Sequence, residues 1–124
     1  MRKLLVLFGL FCLLPLAGCS SENEEKTYSI AESGSWTNGK YSAQAEGYAG
    51  SFSVEVTIAD GRLQSIDVGH HSETPDRGGA AIDSMIPKMI DAQSYDVDAI
   101  SGATITADGL RDAVARCLEE ASAK

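Results

Sequence analysis

The run "SFSVEVTIADGRLQSIDV" at 51–68 constrains the fold more than any other part of this chain. Phe52, Val54, Val56 and Ile58 alternate with polar residues, so a strand over 51–59 carries one apolar face. Asp60-Gly61 is a strong hairpin signal, because both residues accept the positive φ that two-residue hairpin turns require. In the strand that follows, Leu63 falls on the opposite parity to Ile66 and Val68, and a bulge near 64–65 would reconcile them. Upstream, "KYSAQAEGYAG" predicts a short strand around 40–46 and a turn at "GYAG". An antiparallel sheet with one apolar face needs a second layer to cover it.

Two helical patterns can supply that layer. Ile82, Met85, Ile86, Met89 and Ile90 recur at helical spacing, with Pro87 expected to interrupt the helix or to start a new one. A last helix is expected from about Thr106 to Ala121, with Leu110, Ala113, Val114, Cys117 and Leu118 as its buried stripe. Between sheet and helices, "HHSETPDRGG" at 70–79 reads as a loop. The fold class is therefore α+β: a small two-layer domain of antiparallel strands packed against two or three helices.

The chain opens Met1-Arg2-Lys3 and continues apolar from Leu4 to Leu16, the pattern of an export signal. The run is shorter than the roughly 20 residues a comfortable membrane span needs. Leu16-Ala17-Gly18-Cys19 looks like a bacterial lipobox, which implies cleavage before Cys19 and a lipid on its thiol. Residues 1–18 are then a lipoprotein signal peptide, and 19–37 are polar and acidic enough to be expected as a flexible tether. Of three cysteines only Cys117 remains for the domain, so no internal disulfide can form, and its place on the apolar stripe makes it a packing residue.

Loss of Arg2 and Lys3 turns a formal charge of −8 into −10. Such a surface has no basic patch for phosphates, which excludes nucleic acid as an expected partner. It also repels anionic lipid headgroups, so the lipid on Cys19 has to do the anchoring at the extracytoplasmic face.

The remaining feature is "DAISGATITADGL" at 98–110. Ser101, Thr104 and Thr106 place three hydroxyls around Gly102, just ahead of the last helix. Thr104 or Thr106 could cap that helix, and its free amides and positive end would favour an anion beside them. Physical chemistry alone leaves two readings open, a capped turn or a phosphate-binding corner. The glycine spacing and the lysine of a P-loop are missing.

"DAISGATIT" closely resembles the motif of the FMN-binding domain family, found in flavoprotein subunits of sodium-pumping NADH:quinone reductase and Rnf complexes and in small exported electron-transfer lipoproteins. The "GYAG" to "SIDV" hairpin, "HSETP" at 71–75 and the alanine-rich last helix resemble the same family, so the domain spans 38–121. The resemblance implies FMN held through a phosphoester on Thr106, attached by a flavin transferase that uses FAD and magnesium. Asp98, Ser101, Gly102, Ala103 and Thr104 match the rest of the motif, and Glu73, Thr74 and Pro75 are implied to lie near the flavin. Glycine often follows that proline in the family, whereas this chain has Asp76 there and its glycines at 78 and 79.

A threonine hydroxyl is a poor nucleophile without a base or a metal, and the activating groups are expected on the transferase. Tyr48, in its glycine-flanked turn, is the best aromatic candidate to cover the flavin. His70 and His71 are adjacent and, in extended chain, point to opposite sides, which speaks against one shared metal. The expected role is an electron carrier fed by a membrane donor and emptied by a soluble or surface acceptor. Its rivals are an electron-feeding subunit of a reductase, a noncovalent FMN protein and a flavin-free binding lipoprotein.

Overall fold

The computed structural model describes residues 26–123. Strands β1 (Gly39–Gly47), β2 (Gly50–Ala59) and β3 (Arg62–Val68) precede helices α1 (Gly78–Ala92) and α2 (Thr104–Ala123). The strands form one antiparallel sheet in the order β1-β2-β3. This is the expected α+β architecture, with two helices on one face of the sheet.

The hairpin at Asp60-Gly61 closes with φ of 53° and 74°, positive at both central residues as the pair of residue types predicts. Thr57 pairs with Ser65 and Ile58 with Leu63, which leaves Gln64 as the extra residue on β3. That bulge resolves the parity conflict: Leu63 and Ile66 are both buried, on the side that receives Phe52, Val54, Val56 and Ile58.

Helix α2 lies across β1 and β2, and α1 packs on α2 and β3. Small residues permit the close approach of α2. Gly109 has no room for a side chain, since a Cβ there would stand 2.2 Å from the Glu46 carbonyl oxygen. Leu110, Ala113, Val114, Cys117 and Leu118 complete the core, as their spacing predicts. Burial pushes the Cys117 thiol up to about 11, with Glu120 adding to the effect, so it is a packing group rather than a nucleophile.

Three local expectations are corrected. Pro87 neither breaks α1 nor starts a new helix. Asp83, whose carbonyl it leaves without an amide, sits with it on the exposed side, where water can substitute. The helix also begins earlier, at Gly78-Gly79, which composition assigned to the loop. Finally, 26–37 is not a free tether. Ile30 and Trp36 give this stretch enough apolar surface to pack on the core, with Trp36 buried and its Nε1 donating to the Ala31 carbonyl at 2.9 Å. Its backbone is tied to α2 by amide donations from Ser29 to Glu119, Ala31 to Ser122 and Thr37 to the Ala121 carbonyl. The Tyr28 hydroxyl donates to Asp112 Oδ1 at 2.5 Å. Cys19, the signal segment and tether residues 19–25 lie outside the described residues.

Candidate functional site at the amino ends of the two helices

The β1–β2 turn, the loop after β3 and the amino ends of α1 and α2 meet around a cavity of about 630 Å³. Tyr48 comes from the turn, Glu73, Thr74 and Asp76 to Gly78 from the loop and the start of α1, and Gly102 to Thr106 from the motif. Fold topology thus joins two segments that the sequence separates by 33 positions.

Their junction is a hydrogen bond between two buried side chains. Thr106 Oγ1 donates to Glu73 Oε1 at 2.5 Å, with Thr106 1% and Glu73 7% exposed. The same carboxylate accepts from the backbone amide of Tyr48 at Oε1, 2.9 Å, and from that of Ala49 at Oε2, 2.7 Å. A carboxylate out of water needs such donors, and here it has three. Burial by itself raises the Glu73 pKa, but the bonds from Thr106, Ala49 and Tyr48 outweigh it, with a smaller contribution from His71. The net result is a carboxyl below its ordinary range and ionised at neutral pH.

Neither threonine caps α2. The helix starts at Thr104, Ala103 accepts its first bond from the Ala107 amide at 2.9 Å, and the Thr106 hydroxyl is directed to Glu73. Ala103 has no capping group, so the first amides of α2 border the cavity without a side-chain oxygen from that position. The first turn of α1 borders the same cavity, with Arg77 and Gly78 at its start. The amino ends of α1 and α2 and Arg77 therefore border a common space, which Glu73 and Asp76 also line; the free amides of a helix start and a basic side chain favour an anion, and the carboxylates oppose one. Tyr48 and Ile105, 79% and 56% exposed, give the rim two large apolar surfaces.

The structure brings Tyr48, Glu73, Thr74, Gly102, Ala103, Thr104 and Thr106 to the cavity. Pro75, Asp98 and Ser101 are exposed and do not line it. The Gly102 φ of 85° places the sharp turn at the motif's glycine. Sequence reasoning missed Asp76, Arg77, Gly78 and Ile105 as lining groups, together with the direct Glu73–Thr106 bond. The legible signal for Gly78 was the apolar stripe of α1, which extends back through Ala81 to the glycine pair. His71 Nδ1 accepts from the Glu73 amide at 3.2 Å, and its ring packs edge-on to Phe52.

A cavity of this size falls among small-ligand sites of about 300–1,000 Å³. An apolar rim, a guanidinium and helix amides are donors and surfaces that a flavin mononucleotide could use, with ring and phosphate at opposite ends of its needs. The residues present fit that group.

A family profile described as FMN-binding domain matches residues 47–119, more than half of the chain. An uncharacterized protein of Treponema pallidum (strain Nichols) is 35% identical over 83 residues, 67% of this chain and 23% of that protein. The NADH:acrylate oxidoreductase of Vibrio harveyi is 27% identical over 84 residues, 68% of this chain and 8% of that protein. The chain thus spans less than a quarter of either relative's length. A crystal structure of a Clostridium perfringens protein matches with a TM-score of 0.52 at 19% identity, over 69% of this chain and 88% of that one, and bears on the fold alone. The profile match takes in the β1–β2 turn, the Glu73 loop and the Thr106 motif together, and by it the chain belongs to the FMN-binding domain family.

Proposed function

We propose that this chain is a lipid-anchored electron carrier at the extracytoplasmic face of a bacterial membrane, holding FMN as a phosphoester on Thr106. The observation that carries the reading is that Thr106, in the first turn of α2, lines the cavity and that its buried hydroxyl donates to an ionised carboxylate. FMN supplies the redox chemistry, while the protein sets its position, its exposure and its potential. Thr106 would fix the phosphate end beside the amides of α2 and Arg77, and Tyr48 and Ile105 would border the ring. Gly102, Ala103 and Thr104 shape the wall between them.

Maturation would require a flavin transferase with FAD and magnesium. Electrons would arrive from a membrane donor and pass to a soluble or surface acceptor. Among the described residues no helix is long and apolar enough to cross a membrane. In this reading the lipid on Cys19 does the anchoring. Radiolabelled fatty acid incorporation into the full chain, compared with Cys19→Ala, tests the anchor. An unlabelled wild-type chain in a cell that labels a known lipoprotein refutes it.

A second reading is favoured by the Vibrio harveyi relative, in which the matched region is a small fraction of a much larger oxidoreductase. There this chain would feed electrons to the active site of a separate reductase subunit. Co-purification of such a subunit with the tagged chain supports it; a chain that reduces a free acceptor at full rate alone argues for the carrier.

A further inference from the structure

Glu73 has more donors than a structural latch needs. Its two backbone partners, Tyr48 and Ala49, already fasten the loop after β3 to the β1–β2 turn. The third, Thr106, brings the loop to the one hydroxyl that the proposed function requires to lose a proton. Hydrogen bonds to an ionised acceptor are stronger than neutral ones, and this one aims the Thr106 hydroxyl proton at Glu73 Oε1 before any reagent arrives. A base is recognised first by reach, within about 2.6–3.2 Å of the proton it takes or closer. Glu73 Oε1 satisfies that geometry on this chain alone.

We infer that Glu73 is the proton acceptor built into this chain for its own modification. As Thr106 Oγ1 bonds to the flavin-side phosphorus of FAD and the bond from that phosphorus to the AMP oxygen breaks, the hydroxyl proton passes to Glu73 Oε1. The inference rests on the reading of Thr106 as the attachment site. Threonine, FAD and the carboxylate are converted to the phosphoester, AMP and the carboxylic acid, with no change of oxidation state.

Electrostatics explain why the proton would move at that moment. In the free protein the carboxyl is held ionised by its donors, so it is ready to accept. An anionic diphosphate entering the cavity raises its proton affinity, because two like charges in a small space disfavour each other. The other titratable or charged groups around it are His71 in its own loop, Asp76 and Arg77 ahead of α1, and the Tyr48 phenol in the turn. The first turn of α2 brings no acidic side chain. After esterification Thr106 has no proton to donate, and a protonated Glu73 can donate one back to the ester. Two negative charges are then not forced together.

The test uses the full chain in detergent, purified flavin transferase, FAD and magnesium, with FMN incorporation followed by intact mass. Glu73→Gln should lower the initial rate by about 10²–10⁴-fold, the usual contribution of a positioned base. The ratio of wild-type to Glu73→Gln rates should fall toward one as pH drops into the carboxylate range; using the same transferase for both cancels its own titration. Glu73→Ala should regain rate with added formate, which a merely structural carboxylate would not allow. A Glu73→Gln rate equal to wild type overturns the inference and leaves covalent attachment standing. A pH-independent ratio, or no response of Glu73→Ala to formate in a sample with native circular dichroism, also overturns it. A wild-type chain left unmodified by an active transferase overturns the attachment reading itself.

Discussion

Gly78 lies so close to Thr106 that a Cβ at position 78 would stand 3.0 Å from Oγ1, and 2.9 Å from the Glu73 Cβ. The start of α1 is thus pressed onto the Glu73–Thr106 bond. Gly78→Ala should displace both side chains and cost about 1–3 kcal/mol of stability, the usual range for overpacking. Flavin attachment should fall with it. Thermal denaturation and intact mass check the two effects; an unshifted Tm would show that the helix can move aside.

Thr106→Val keeps the shape of the side chain and removes its donor. The buried Glu73 carboxylate then retains only its two amides, at a cost of about 1–3 kcal/mol. Thr106→Ala should also abolish covalent flavin, whereas changing Thr104, the exposed first residue of α2, should only reduce folding or attachment. Chemical denaturation separates the stability effects, and mass separates the covalent ones.

The acid behaviour follows from the same bond. Glu73 has a folded pKa below its unfolded value, so its contribution is complete above the unfolded pKa and is lost as pH falls through the folded one. Asp112 acts in the same direction: burial raises its pKa, but the hydrogen bonds from Tyr28 and Lys26 and the charge of Arg116 bring it down. Stability should therefore be flat from neutrality to about pH 5 and decline below it. Glu73→Gln should flatten that decline. An equally steep acid limb in the variant would assign it to other carboxylates.

Trp36 extends the domain beyond the region matched by the family. It is 4% exposed, and its stretch covers α2. Trp36→Ala should cost about 3–5 kcal/mol, as large-to-small changes in a core do. Deleting the chain up to residue 37 should lose at least as much. Urea unfolding of the full and shortened chains measures the difference, and equal midpoints would return this stretch to the role of tether.

The parts of the fold that were legible in the sequence share a local cause. Strand β2 shows a period of two, Asp60-Gly61 specifies its own turn, and the parity conflict between Leu63 and Ile66 pointed to the bulge now placed at Gln64. The misread parts depend on tertiary contacts. Gly78-Gly79 looked like loop because glycine is a poor helix former, yet the pair opens α1 where Glu73 and Thr106 crowd position 78 and the Thr74 carbonyl crowds position 79. Gln93 carried no signal either. It stands at a φ of 52° after α1, and its amide group bonds the backbone of Leu63 in both directions, at 2.8 and 2.9 Å, along the outer edge of β3. At the site, the motif identified Thr106, while the contact that prepares it lies 33 residues away and becomes visible only when the sheet and helices assemble.

The central claim is a covalent flavin on a named oxygen, and the most direct test is intact mass with peptide mapping of the full chain matured beside an active flavin transferase. The account predicts a mass gain of one FMN less water, confined to the peptide that contains Thr106 and absent from Thr106→Ala. A folded chain of unmodified mass, or FMN on a different residue, would contradict it.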